Sequence, residues 1–205
     1  VKNGEVMITV PNVAGSYPVT VYYSGDDKFN ANVTTGTVVI PATNLTVSVA
    51  DIIYGNNATV VVTVPAGADG QNVTIKVDGV VYDNATIVGT TASLNVTDLA
   101  VGTHTVVALF NGTSGNASFN VARAVPELNI TVADIVVGNN ATIGIASNVA
   151  GGNVVVYVDN KMYDVVLDAA GNYVLNVTGL VAGNYTVIAM LAESANYTAA
   201  SNDTA

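Results

Sequence analysis

The chain has 205 residues, of which half are hydrophobic and only 10% are charged, and its 15 acidic and 5 basic side chains give a net charge of −10. So few cations cannot neutralise a run of phosphates, which excludes nucleic acid and argues against binding to anionic membranes. The absence of cysteine excludes disulfides and thiol catalysis, and no apolar run reaches the roughly 18 residues of a spanning helix, so we expect no direct membrane insertion.

Taken in chain order, the predicted elements are all β-strands, because apolar and polar residues alternate with a period of two. Residues 1–42 hold about three strands. Turn signals such as Asp78-Gly79 then separate a set of strands that ends with a closing strand. The predicted bounds are 45–52, 58–64, 72–77, 80–83, 85–88, 91–97, 103–110 and 117–123, where the fourth and fifth are alternatively one bent strand.

A long internal repeat sets the domain organisation. The segment Val-Ala-Asp-Ile-Ile-Tyr-Gly-Asn-Asn-Ala-Thr-Val begins at Val49 and returns with small changes at Val132. Self-similarity at this spacing indicates tandem domains rather than a short-repeat solenoid. We therefore predict that residues 1–42 are the C-terminal half of one repeat, residues 43–126 a complete repeat, and residues 127–205 a repeat that lacks its last strand.

A second recurring element, Leu-x-x-Gly-x-Tyr-Thr-Val, places an aromatic side chain at the start of a strand. Tyr17 and Tyr185 occupy that position, and His104 takes it in the middle repeat. An inward ring whose hydroxyl returns to the backbone is the tyrosine corner of Greek-key sandwiches. We predict a structural corner at these three residues and no catalytic role for His104, the only histidine.

Several segments together follow the pattern of a known kind of repeat. They are Val49-Ala50-Asp51-Ile52, Tyr54-Gly55, Thr74-Ile75-Lys76-Val77-Asp78-Gly79, Tyr23-Ser24-Gly25-Asp26-Asp27-Lys28-Phe29, Gly102 and Gly183. With these residues, the chain resembles the immunoglobulin-like repeats of prokaryotic surface proteins, especially the adhesin-like proteins of methanogenic archaea. The resemblance implies an all-β fold of tandem immunoglobulin-like β-sandwich repeats and an extracellular, cell-surface stalk or adhesin that is not an enzyme. Short linkers with proline at Pro41 and Pro126 favour an arrangement of these repeats as an extended rod.

The triplet Asn-x-Ser/Thr is the acceptor for N-linked sugar on exported proteins and occurs fourteen times. On a half-buried strand, the same triplet is also simple polar-apolar-polar alternation, so both explanations stay open. The candidate glycosylation sites are Asn32, Asn44, Asn57, Asn72, Asn84, Asn95, Asn111, Asn116, Asn129, Asn140, Asn176, Asn184, Asn196 and Asn202.

No metal site and no cofactor is predicted, and calcium is the one alternative. Hard cations bind carboxylates and carbonyls, and Asp26, Asp27, Asp51, Glu127 and Asp134 lie near predicted loops or junctions. No dense Asp-x-Asp-x-Asp loop occurs, and solvated turn acids explain the same residues.

The function predicted from the sequence is a structural and adhesive cell-surface fibre or stalk, N-glycosylated and able to polymerise into a filament. The alternatives are a glycan- or protein-binding module and a non-catalytic stalk of a cell-wall enzyme. Expected partners are neighbouring repeats, copies of the chain, and ligands on host or neighbouring cells. Incomplete end repeats are explained either by a window from a longer array or by strand donation between copies.

Overall fold

The computed structural model describes residues 8–9, 15–40 and 44–204. Every regular element in these ranges is a β-strand, and no helix there could cross a membrane. The strands are β1 (Gly15–Tyr23), β2 (Asn32–Ile40), β3 (Thr46–Ser48), β4 (Ile52–Ile53), β5 (Ala58–Thr63), β6 (Asn72–Val77), β7 (Val80–Thr86), β8 (Thr91–Val96), β9 (Gly102–Phe110), β10 (Thr113–Ala122), β11 (Leu128–Val132), β12 (Ala141–Ser147), β13 (Asn153–Val158), β14 (Lys161–Val166), β15 (Asn172–Val177), β16 (Val187–Leu191) and β17 (Ala200–Asp203).

The chain divides into two compact units. The first covers the described residues up to Ala50 together with Asn57–Thr97 and Thr103–Phe119. The second covers Asp51–Asn56, Asp98–Gly102 and the described residues from Asn120 onward. The predicted domain boundaries follow the sequence repeat, whereas this division follows spatial contacts, so the boundaries stay a prediction.

The first described strands, β1 and β2, form an antiparallel hairpin whose register runs from Gly15 opposite Ile40 to Tyr23 opposite Asn32. In the loop between them, the Asp26 carboxylate accepts hydrogen bonds from the backbone N–H groups of Lys28 and Phe29. These bonds close the loop, because an Asp side chain can replace a backbone acceptor in a turn.

Between Thr46 and Ala122 the strands form two sheets, with the orders β3–β5–β8 and β4–β10–β9–β6–β7. Their sequence alternation matches their burial: Val60 and Val62 of β5 and Val73 and Ile75 of β6 are all fully buried. If the two-residue strand β4 is left out of the count, the three-stranded sheet holds the first, second and fifth strands (β3, β5 and β8), and the other sheet holds the rest. This division of the strands is the arrangement of an immunoglobulin-like sandwich.

From Leu128 onward the same arrangement returns. The sheets have the orders β11–β12–β15 and β14–β13–β16–β17. Their shared core contains Ile143, Ile145, Val156, Ala189 and Leu191, each at most 2% exposed. The chain is therefore built of immunoglobulin-like β-sandwiches, and the predicted fold class is confirmed at that level.

Four strand predictions differ from the structure. The closing strand predicted at 117–123 begins earlier, as β10 (Thr113–Ala122). The strand predicted at 45–52 is two strands, because the chain changes sheets: β3 pairs antiparallel with β5, and β4 pairs parallel with β10. The segments 80–83 and 85–88 are one bent strand, β7, as the alternative had it, and its bend is a register shift that leaves Tyr82 as an extra residue.

The fourth difference lies at the end of the described chain. No closing strand is expected there, but β17 pairs antiparallel with β16, from Leu191 opposite Ala200 to Ile188 opposite Asp203. The Thr204 hydroxyl extends this pairing by accepting a hydrogen bond from the backbone N–H of Val187.

Candidate functional site

The fourteen candidate asparagines lie mostly on the surface. Eleven are exposed, and Asn111, Asn196 and Asn202 are partly buried. Asn202 uses its side-chain nitrogen internally, because Nδ2 donates a 2.6 Å hydrogen bond to the carbonyl oxygen of Leu128. Nδ2 is the atom that would carry an N-linked sugar, so Asn202 is a poor acceptor in the folded chain.

Several of these asparagines accept a hydrogen bond from a threonine on the neighbouring strand. On the β6–β7 hairpin, Thr74 Oγ1 donates to Asn84 Oδ1 at 2.7 Å, and Thr86 Oγ1 donates to Asn72 Oδ1 at 2.9 Å. Both threonines and both asparagines belong to Asn-x-Thr triplets, so two triplets bind each other.

The same contact occurs on both three-stranded sheets. Thr59 Oγ1 donates to Asn95 Oδ1 at 2.8 Å, between β5 and β8. At the equivalent place in the second repeat, Thr142 Oγ1 donates to Asn176 Oδ1 at 3.2 Å, between β12 and β15. Sequence reasoning missed these contacts, because they depend on strand register.

The corner residues differ in their contacts. Tyr185 Oη accepts a hydrogen bond from the backbone N–H of Val181 and donates one to the carbonyl oxygen of the same residue, both at 3.2 Å. Tyr17 lies partly buried on β1, opposite Val38. A hydroxyl that returns to the backbone four residues earlier fixes the turn before β16.

His104 makes a contact that sequence reasoning did not predict. Its Nδ1 lies 2.7 Å from Oδ2 of Asp78, a residue in the turn between β6 and β7. The His104 ring also stacks on Phe119, with the ring centres 5.5 Å apart. The other Asp78 oxygen accepts the backbone N–H of Thr105 at 2.8 Å. The hydrogen bond from the Thr105 backbone N–H has the larger effect and the one to His104 the smaller, and both lower the pKa of the Asp78 carboxyl below its ordinary value.

We expect an acid-dependent loss of stability from this contact. A carboxyl with a lowered pKa in the folded state stabilises the fold fully above its ordinary pKa, and the effect disappears as pH falls through the lower folded value. Asp78→Asn should therefore flatten the fall in melting temperature below about pH 4. Thermal melts of both proteins between neutral and acid pH test this, with Asp83→Asn correcting for the change in net charge. An unchanged slope in Asp78→Asn would contradict it.

The acids proposed as calcium ligands lie in different surroundings. Asp51 accepts the backbone N–H of Asn120 at 2.7 Å, and the Asp26 carboxylate is taken up by its own loop. The backbone N–H of Glu127 donates to Asn148, and Asp134 lines a cavity. Within residues 8–9, 15–40 and 44–204, no three Asp, Glu, His or Cys side chains come together as a metal site.

Two cavities lie in the second unit. The larger has a volume of 690 Å³, and its described lining residues include one carboxylate, Asp134. The smaller, of 460 Å³, lies between Lys161, Tyr163, Thr178 and Tyr185. The hydroxyl of Tyr163 is buried and has no hydrogen-bond partner, and Lys161 Nζ lies 5.0 Å from the centre of its ring.

No family model matches the sequence, and neither does any curated protein. Among solved structures, the chain is similar to the fibronectin(III)-like modules of CbhA from Clostridium thermocellum, with 17% identity, coverage of 78% of this chain and 91% of that one, and a TM-score of 0.31. It is also similar to a 1.5-MDa bacterial ice-binding adhesin, with 14% identity, 92% and 72% coverage, and a TM-score of 0.34.

A third similar structure is the central fibronectin-III array of RIM-binding protein, with 12% identity, coverage of 94% of this chain and 76% of that one, and a TM-score of 0.30. At these identities and TM-scores, the likeness carries no argument about activity or partners. The immunoglobulin-like assignment rests on the strand order of this chain.

Proposed function

We propose that this chain is a structural and adhesive, non-catalytic part of a cell-surface stalk, of the kind found in the adhesin-like proteins of methanogenic archaea. The observation that carries the proposal is the repetition of one sandwich. Repeated sandwiches extend the exposed surface of a protein and do not by themselves build a reaction centre. In the larger of the two cavities described above, the lining contributed by the described part of the chain holds a single carboxylate, Asp134, and therefore no acid–base pair of carboxyl groups. The modules are proposed to stand in series as an extended rod, supported by the short linkers that contain Pro41 and Pro126.

Export and N-glycosylation form the second part of the proposal. Exposed Asn-x-Ser/Thr asparagines outside the strands, such as Asn44 and Asn184, support it, because a hydrated sugar coat suits a surface that carries so few charges. Partners in this setting are neighbouring repeats or copies of the chain, assembled as a filament, and ligands on host or neighbouring cells.

Intact-mass measurement of the native protein tests the glycosylation directly. The 205 residues without sugar have a mass of 20.8 kDa. We expect the same residues of the native protein to have a higher mass, which returns to 20.8 kDa after chemical removal of sugars. Protease treatment of intact cells tests the location, since a surface stalk is cleaved while a cytoplasmic marker protein survives. An unmodified mass would contradict the glycosylation. Protection from the protease in intact cells would contradict the surface location.

A second candidate function, a small glycan-binding module, is favoured by the unpartnered hydroxyl of Tyr163 beside the 460 Å³ cavity. A buried hydroxyl without a partner is costly unless a water or a ligand supplies one. Titration with a panel of mono- and disaccharides, followed by NMR, tests this function. Tyr163→Phe should abolish any binding and leave the fold intact, whereas binding that survives this change would place the ligand elsewhere.

A further inference from the structure

Six of the fourteen Asn-x-Ser/Thr triplets, all six of them ending in threonine, face each other in three pairs, at the same register each time. The middle residue of one triplet lies directly opposite the middle residue of the other, and all six middle residues are between 0% and 6% exposed. The facing triplets begin at Asn72 and Asn84, at Asn57 and Asn95, and at Asn140 and Asn176.

This register has a direct consequence for the outer residues of each pair. In antiparallel strands, a triplet centred opposite another triplet puts its asparagine opposite the other's threonine at both ends. The pair at Asn72 and Asn84 makes both possible hydrogen bonds, from Thr86 to Asn72 and from Thr74 to Asn84. Each bond joins two strands across an exposed sheet face by neutral groups, where a more highly charged protein would use ion pairs.

We propose that these six triplets are cross-strand locks and not sugar acceptors, and that N-linked sugar is carried by triplets outside the locks, at Asn44 and Asn184. The second half rests on the proposed function. Asn44 and Asn184 are exposed and lie outside the strands, as surface-loop acceptors do. A locked triplet has its threonine hydroxyl or its asparagine carbonyl bound to the opposite strand, and the ladder fixes the backbone of its middle residue.

A double-mutant cycle on the chain made without glycosylation tests the lock itself. Thr74→Val and Asn84→Ala should each lower the melting temperature by about 2 °C, and the double variant by about as much as one of them. The matched cycle uses Thr46→Val and Thr63→Val, which face each other on an exposed sheet face without an asparagine. Additive effects in the first cycle, or equal coupling in both cycles, would overturn the lock.

Site-by-site glycopeptide mapping of the native protein tests the assignment of the sugar. We expect high occupancy at Asn44 and Asn184 and little or none at the six locked asparagines, Asn57, Asn72, Asn84, Asn95, Asn140 and Asn176. Comparable occupancy at the locked and unlocked sites would overturn the assignment. A native protein without sugar at any site would contradict the proposed glycosylation, whereas the double-mutant cycle would still decide the lock.

Discussion

Replacing Gly171 with alanine is expected to lower the free energy of unfolding by about 2–4 kcal/mol. Gly171 has a φ of 79°, where an L side chain is strained, and an added Cβ would collide with the carbonyl oxygen of Ser147. That contact cannot be relieved by a side-chain rotation, because the backbone fixes the position of the Cβ and the Ser147 oxygen is itself a backbone atom. The Gly171 carbonyl also accepts the N–H of Ser147 at 2.9 Å, so moving the loop away breaks a hydrogen bond.

Gly179→Ala is the matched control for this prediction. Gly179 has a similar φ of 74°, but an added Cβ there meets nothing within 4 Å. Its cost should be the backbone strain alone, about 1 kcal/mol. Urea unfolding of the two variants separates strain from collision, and equal losses would show that the Ser147 contact does not determine the outcome.

Local rules predict the strands and the tight turns of this chain well. Alternation locates β5, β6, β8 and β9 to within one residue at each end. The Asp78-Gly79 turn has positive φ at both residues, 50° and 82°, as a two-residue hairpin turn with this sequence requires. These features could be predicted because each depends on neighbours in the sequence.

Register could not be predicted in the same way. Counting back from the turn, where Val77 faces Val80, an unbroken ladder would put Asn72 opposite Ala85. The extra residue Tyr82 shifts the ladder by one, so that Asn72 faces Thr86 instead. The lock between these triplets therefore depends on one bulge, which the alternation shows only as a break between two predicted strands.

The bulge also explains why Tyr82 and Tyr163 differ, although they lie at the same place in the repeat, 81 residues apart. Tyr82, at the bulge, accepts a hydrogen bond from the backbone N–H of Thr97 at 3.0 Å. The β13–β14 ladder has no register shift, so Tyr163 faces Val156 directly and its hydroxyl is buried without a partner. Sequence comparison pairs the two residues, but their environments differ because β7 has one residue more than its partner strand.

The candidate site shows the same limit on a larger scale. His104 was assigned to the corner from its position in the repeat, and that position is local information. Its hydrogen bond to Asp78 spans 26 residues and exists because β6 lies beside β9, with Val77 opposite Val106. Only the sheet order brings the imidazole to the carboxylate, so no motif could have indicated the pair.

The second large effect is expected in the core. Ile145→Ala should lower the free energy of unfolding by about 3 kcal/mol, and Ile145→Val by about 1 kcal/mol. Ile145 is 2% exposed and lies on β12, the central strand of its sheet, with Ile130 on one side and Tyr173 on the other. Neighbours fixed by two ladders cannot move in to fill the space, so the cavity term adds to the lost burial.

Met190→Ala provides the control on the opposite sheet. Met190 lies on β16, is 48% exposed, and should change the free energy of unfolding by no more than about 0.5 kcal/mol. Denaturant unfolding of the three variants should give graded losses at Ile145 and almost none at Met190. Because the locks on the outer faces are exposed and individually weak, a loss at Met190 as large as that at Ile145 would mean that the outer faces, rather than the apolar interior, hold this sandwich together.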